Sequence, residues 1–393
     1  MESGKKIATL MEQAVQGLFR DALRLTFNDL SQAYFSLQTV RWQKKAARLR
    51  IHWQAAGVPV PPVMMMSVTD RCNLRCQGCF AQAHQSLPRA EMDESKVRNI
   101  FTEAKELGIS VILLIGGEPL IRKEILNITQ DFPEIIFPLF SNGLFMNEDL
   151  LGKFKEQKNV VPVMSLEGCQ EETDGRRGQG VYRHLQGLIP QMKRENIFWG
   201  LSFTLTRPNF NTVIDARFIK GLVDAGCRLF FFVEFTPMNG ETQDWVLTGE
   251  QRGKVLGVMN LLEAQFPGLF IAFPGGEERF GGCLSAGRGF VHISPDGDVE
   301  PCPFVPYSDS NLKNLSLKEA LQSEFLRDLR QNRPERTGDK QGGCVLRENS
   351  EWVRALLHSK DRSIPEGKDS PVKKDELIWN TEARPILFSS NGK

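Results

Sequence analysis

The chain has almost no net charge, few cysteines and no long apolar run. Its 49 Lys+Arg against 48 Asp+Glu leave a formal charge of +1, so no global field draws it toward nucleic acid or an acidic partner. The sequence has no window of roughly 18 apolar residues that could span a bilayer as a helix. The N-terminal apolar pattern is interrupted by Arg20, Asp21, Arg24 and Asp29, so it does not read as a signal peptide. The expectation is a cytoplasmic chain whose thiols stay reduced. Only 8 cysteines occur in 393 residues, and in that setting they fit metal ligands or reactive thiols better than a disulfide framework. A hydrophobic content of 41% and a charged content of 25% suit a globular protein with a sizeable core. The length allows about two or three domains.

Three of those cysteines crowd into SVTDRCNLRCQGCFAQAH (67–84), at Cys72, Cys76 and Cys79. A metal site, a disulfide cluster and buried apolar filler are the alternatives, and reduced thiols argue against the second. Zinc usually takes four ligands, and no fourth Cys or His stands at finger spacing, although His84 follows five residues after Cys79. Three thiolates on one short loop suit an iron–sulfur cubane with one iron left open.

The surrounding pattern places this loop. Ile7, Leu10, Met11, Ala14, Val15, Leu18, Phe19, Ala22 and Leu23 form the stripe of an amphipathic helix. A second helix is predicted from Asn28 or Asp29 to about Gln54, carrying Arg41, Lys44, Lys45, Arg48 and Arg50, and GVPVPP (57–62) breaks it. From residue 63, apolar strands are predicted at 63–68, 110–115, 134–140, 160–166, 198–205 and 228–235. Helices fall between them, near 93–107, 121–131, 147–158, 181–195 and 211–225. Near-continuous apolar strands alternating with amphipathic helices argue for a parallel sheet covered by helices. Six units fit an open (β/α)6 TIM-like partial barrel, with the chemistry at the C-terminal ends of the strands. A helix at about 248–266 leads out of it. Residues 287–304 read as a β-hairpin through the turn Pro295-Asp296-Gly297, followed by helices at about 316–331 and 350–358. The fold class expected is α/β. Its parts are an N-terminal helical segment (1–60), the partial barrel (61–245), a small C-terminal α+β cluster-binding domain (246–360) and a polar tail (361–393).

The spacing of Cys72, Cys76 and Cys79 after a first strand resembles the radical S-adenosylmethionine enzymes. The resemblance implies an oxygen-sensitive [4Fe–4S] cluster on those three thiolates, with its fourth iron chelated by S-adenosylmethionine. One electron then splits the cofactor to a 5′-deoxyadenosyl radical. Gly116, Gly117 and Glu118 in LLIGGEPL (113–120) are similar to the motif that holds the methionine amino group. Ser141 and Asn142 resemble ribose-contacting positions. Ser165, Glu167 and Arg177 lie in a stretch similar to one that follows the fourth strand in the family, Glu167 standing where Asp is usual. Arg177 is expected to meet the cofactor carboxylate or a loop acid, while Glu171, Glu172 and Arg176 read as surface charges. Gly78 stands where the family commonly has an aromatic, leaving Phe80 as the nearest ring for adenine. Thr204 and Arg207, after the fifth strand, are expected to contact ribose or carboxylate, and Glu234 and Thr236 to face the same opening. Cys169 and Glu234 are the candidate reacting groups, Cys169 as hydrogen donor, cluster ligand or inert side chain.

Cys283, Cys302 and Cys344, with Gly297 ahead of Cys302, resemble the auxiliary-cluster domain called SPASM, or its shorter twitch form. The resemblance implies one auxiliary [4Fe–4S] cluster. Its fourth iron is open or bound by Cys169, Cys227, His292 or an acid, and Cys227 reads better as packing at the far end of the barrel.

Expected partners are a reductant protein of ferredoxin or flavodoxin type and a peptide, lipid or small-molecule substrate. The expected reaction is hydrogen abstraction leading to a crosslink, C–C or C–S bond formation, or dehydrogenation. One alternative is a lipid or isoprenoid substrate at the membrane surface, met through peripheral contact by residues 1–56. An alternative of another class is a non-catalytic iron–sulfur electron carrier. Nucleic acid is disfavoured by the balanced charge.

Overall fold

A computed structural model describes residues 2–26, 29–83, 90–238, 240–274, 277–280, 282–332 and 344–358. His84 and the tail from 361 therefore lie outside the described residues. Nine strands form one sheet in the order β7-β6-β5-β4-β3-β2-β1-β8-β9. They are β1 (Val63–Thr69), β2 (Val111–Gly116), β3 (Phe137–Ser141), β4 (Val160–Ser165), β5 (Gly200–Leu205), β6 (Leu229–Glu234), β7 (Leu269–Phe273), β8 (Phe290–Ile293) and β9 (Val299–Glu300). All neighbours pair in parallel except β8 and β9. Helices connect consecutive strands from β1 to β7, as the right-handed crossover rule requires. The six predicted strands are all present, and the partial barrel is as expected.

The sheet corrects the sequence in two places. β7, LFIAF, adds a seventh parallel strand beyond β6, where only an exit helix was expected. The predicted hairpin forms at 290–300, yet its first strand also pairs in parallel with β1, Val63 opposite Phe290 through Met66 opposite Ile293. The second cysteine group is thus attached to the edge of the barrel sheet. The helix predicted at 211–225 is two, Phe210–Val213 and Ala216–Asp224, because the Asp215 carboxylate caps a new start. The helix at 316–331 is likewise divided, with Ser323 capping Glu324–Gln331. The stretch 121–131 shrinks to Pro119–Ile121 and Ile125–Thr129.

The apolar interior has two parts. The larger cluster joins the outer face of the sheet to the flanking helices. A separate cluster fills the lumen side, with Val161, Leu229, Phe231 and Leu269 from the strands, Ile136 just before β3, and Val15 and Phe19 from α1 (Glu2–Leu25). α1 packs antiparallel-fashion on α2 (Leu30–Ala55), as two helices joined by a short turn do. Arg50 is not part of an exposed basic cluster. It is 4% exposed, its Nη2 lies 2.6 Å from Glu12, and its Nη1 reaches the Gly108 carbonyl. It ties both helices to the barrel.

Candidate active site

The loop after β1 carries the first cysteines and is pinned on two sides. The Gly117 N–H donates to the Thr69 carbonyl and the Glu118 N–H to the Arg71 carbonyl, each at 2.8 Å. This close crossing explains the glycines. Gly116 sits at φ 121° with its missing Cβ against Thr69, and a Cβ on Gly117 would collide with the Arg71 carbonyl. On the other side, the Gln77 N–H donates to the Arg176 carbonyl at 3.0 Å. Gly78 (φ 64°) lies with the ring of Phe235 where its side chain would be.

Cys72, Cys76 and Cys79 are all half-buried and lie within electrostatic reach of one another. Burial raises the Cys72 thiol above its ordinary value, against the Leu74 N–H that stabilises its thiolate. Burial also raises Cys76, opposed by the positive charges of Arg177 and Arg176. Among the described residues, no three His, Cys, Asp or Glu side chains converge as on a single metal ion.

Glu118 is 1% exposed. Its carboxylate accepts from the Leu120 N–H (3.0 Å), the Ser141 hydroxyl (2.8 Å) and the Asn142 N–H (2.8 Å). Burial nonetheless raises its pKa, with those donors working the other way. A carboxylate has about four lone-pair sites, so one acceptor position is left after these three bonds. Ser141 and Asn142 therefore orient Glu118, and the Asn142 amide also donates to Asn73 Oδ1 at 2.8 Å.

Glu167 is also 1% exposed. Its carboxylate takes Arg176 Nη1 at 2.6 Å, Arg177 Nη2 at 2.5 Å and the Thr204 N–H at 3.0 Å. Arg176 is thus a half-buried partner of Glu167 and not a free surface charge, held at the end of helix Gln170–Arg177. Arg177 meets a loop acid, one of its two expected partners. Burial opposes its charge, but Glu167, with help from Cys76 and Cys79, more than offsets this and raises its pKa. Glu172 accepts from Thr212 at 2.7 Å. Asn209, which the sequence did not flag, donates to the Glu167 and Thr204 carbonyls at 2.9 Å; only its position after β5 hinted at a role.

The remaining expected residues are dispersed. Ser165 ends β4 opposite Ser202. Arg207 is bound to the carbonyls of 245 and 246, through its own N–H and its Nε. Glu234 is buried and paired with Arg252 at 2.6 Å, and Thr236 is buried beyond it. Cys169 is exposed at the start of helix Gln170–Arg177, with Glu172 and Tyr182 as electrostatic neighbours. The Phe80 ring stands edge-on to Phe304, centroids 5.6 Å apart.

Cys302, which is buried, and Cys283 and Cys344, which are half-buried, form a second group close enough to influence one another. Burial and then Cys344 raise Cys302 well above its ordinary value, and burial followed by Cys283 pushes Cys344 up to about 12. Neutral thiols this far from solvent are suited to binding as thiolates only against a cationic centre. Two of the candidate fourth ligands are engaged elsewhere. The His292 ring lies 2.8 Å from Ser67 Oγ through Nε2 and 2.8 Å from Glu300 through Nδ1. Cys227 is fully buried at the start of β6 and its pKa is driven far up by burial. Glu277 is the acid whose charge Cys302 feels.

The family model for the Radical SAM superfamily matches residues 66–215, and that for an iron–sulfur cluster-binding domain, SPASM, matches 283–344. The chain is 34% identical over 262 residues to a probable GTP 3′,8-cyclase of Archaeoglobus fulgidus, covering 61% of this chain and 84% of that one. It is 24% identical over 327 residues to an AdoMet-dependent heme synthase of Methanosarcina barkeri, covering 76% and 93%. Among solved structures, SuiB of Streptococcus suis bound to S-adenosylmethionine superposes with a TM-score of 0.61 at 15% identity, over 79% of this chain and 77% of that one. SuiB has also been solved with its precursor peptide SuiA, with a TM-score of 0.58.

Proposed function

This chain belongs to the Radical SAM superfamily, with a SPASM iron–sulfur domain, and from that premise we propose that it cleaves S-adenosylmethionine reductively to modify a peptide or small molecule. It is an enzyme with a [4Fe–4S] cluster, S-adenosylmethionine and an auxiliary cluster as its cofactors. The observation that carries the proposal is the crossing of the cysteine loop over the Gly116–Glu118 turn through two backbone hydrogen bonds.

Cys72, Cys76 and Cys79 would hold the first cluster, and Cys283, Cys302 and Cys344 the second. When bound, the cofactor and the first cluster supply a 5′-deoxyadenosyl radical that takes a hydrogen atom from the substrate. The chain's own residues set the stage. Glu118, oriented by Ser141 and Asn142, offers its remaining acceptor position to an ammonium group. Ser165 ends β4 on the same rim. Arg177 puts a positive charge near Cys76, which favours its thiolate. Glu167 keeps that charge from being isolated in the interior. Cys169, exposed on the same rim, is the candidate hydrogen donor, while Glu234 is positioned by Arg252. A ferredoxin- or flavodoxin-type protein would deliver the electron.

The peptide or small-molecule class is supported by the precursor peptide in SuiB and by the names of the two relatives. A second reading, a lipid or isoprenoid substrate taken at a membrane surface, is favoured by one face of α2. Leu30, Tyr34, Leu37, Arg41, Lys44, Arg48 and Ile51 are all exposed there at helical spacing. Sedimentation with anionic vesicles tests it; no binding removes it. Among the described residues, no helix is long and apolar enough to cross a membrane. The main proposal is tested by anaerobic incubation with dithionite and S-adenosylmethionine. Release of 5′-deoxyadenosine, abolished in Cys76→Ala, supports it. No release from protein with both clusters intact favours an electron carrier.

A further inference from the structure

We propose that the N-terminal mouth of the partial barrel is a second ligand site, which takes a single-chain anionic amphiphile with its tail in the lumen and its head at Lys158. Between α1 and the concave face of the sheet lies a cavity of about 410 Å³, within the size range of small-molecule sites. Its walls are Val15 and Phe19 of α1, Val111, Val161 and Phe231 of the strands, and Ile136 just before β3. An unfilled apolar cavity weakens a fold in proportion to its volume. Such cavities stay dry and accept apolar molecules. This end is opposite the cysteine loop, so nothing in the active site accounts for the space. The apolar lining of the lumen continues upward to Phe140 and Val233, each one residue short of the strand ends at Ser141 and Glu234. A chain lying in it would point toward the reactive rim.

The mouth decides the head group. The cavity opens at the start of α2, where Phe35 and Lys158 line both it and a neighbouring hollow of about 380 Å³ along that helix. The other charges lining the cavity itself are engaged, and Glu156 lines only the neighbouring hollow. Lys155 pairs with Glu195 at 3.1 Å. Asp29 caps α2 through the Gln32 N–H at 2.7 Å and binds the Asn196 amide. Lys158 has no ion-pair partner among the described residues, so the mouth offers one cation to a carboxylate or phosphate. A neutral head would gain only a hydrogen bond from it, weaker than the ion pair an anionic head would form.

Binding stands apart from the radical chemistry, since it is measured without turnover. Cluster-containing protein is titrated calorimetrically under anaerobic conditions with decanoate and with 1-decanol. Saturable binding of one decanoate per chain is expected, tighter than decanol. Lys158→Ala should weaken decanoate roughly twofold to fivefold, as loss of one partly exposed ion pair does, and weaken decanol less. Val161→Trp fills the lumen and should abolish both. If that strand variant misfolds, Ala22→Trp fills the cavity from α1 and gives the same test. No saturable binding, equal affinity for the two probes, or binding that survives both filling variants overturns the proposal. Loss of 5′-deoxyadenosine release with decanoate binding intact would count against the radical function alone.

Discussion

The ring of Phe80, next to Cys79, stands edge-on against the ring of Phe304, two residues beyond Cys302, at 5.6 Å between centroids and 73° between planes. The first cysteine loop and the second cysteine group therefore share a packed contact. Edge-to-face pairs contribute about 0.5–1.5 kcal/mol beyond their buried area. A double-mutant cycle of Phe80→Ala and Phe304→Ala should return a coupling of about 1 kcal/mol in thermal melts. Additive effects would show that the rings do not hold the two groups together.

Glu167 is the buried anchor of two guanidinium groups. Removing one partner of such a group leaves uncompensated charge in the interior, typically at about 3–5 kcal/mol. Glu167→Gln should lower the melting temperature markedly and weaken S-adenosylmethionine binding. Glu250→Gln, in an exposed pair with Lys254, should do neither. Equal melting temperatures for the two variants would remove Glu167 from this role.

The crossing of loop and turn makes Gly117 the least replaceable glycine of the site. Gly117→Ala must displace the Arg71 carbonyl, and it should weaken cofactor binding at least tenfold in equilibrium dialysis. Gly175→Ala sits in a helix with nothing within 4 Å of the added carbon. It should be neutral or stabilising by up to about 1 kcal/mol. Unimpaired binding in Gly117→Ala would contradict the crossing.

Alkylation by iodoacetamide needs the thiolate. Burial raises the Cys227 pKa far above its ordinary value, so at pH 8 that thiol is neutral as well as inaccessible. Cys169 is exposed, and its milder upward shift, from desolvation and then Glu172, means its rate should still climb as pH rises past 8. In cluster-loaded protein, mass spectrometry should find Cys169 labelled first and Cys227 labelled only after denaturation. Early labelling of Cys302 would indicate that the second group holds no cluster.

Much of this was legible from periodicity and spacing. β1 to β6 are long apolar runs between helical patterns, and a fully buried parallel strand announces itself that way. β7 was missed because LFIAF follows Pro267 and Gly268 directly, and a five-residue apolar run fits a loop or strand equally. The pairing of β8 with β1 is a contact between distant segments, which no local pattern encodes. In the site, the cysteines and Gly116–Glu118 were marked by composition and order. The pairing of Arg176 with Glu167 was not, because a charged residue near a helix end is ordinarily solvated. The engagement of His292 by Ser67 and Glu300 was hidden for the same reason as the β8 pairing: its partners come from β1 and β9.

The most direct test is electron paramagnetic resonance of dithionite-reduced, oxygen-free Cys302→Ala protein, which isolates the first cluster. A [4Fe–4S]⁺ signal that shifts when S-adenosylmethionine is added, and vanishes when Cys76→Ala is introduced as well, is the predicted result. Zinc in place of iron at residues 72, 76 and 79, or a signal indifferent to the sulfonium, would contradict the account.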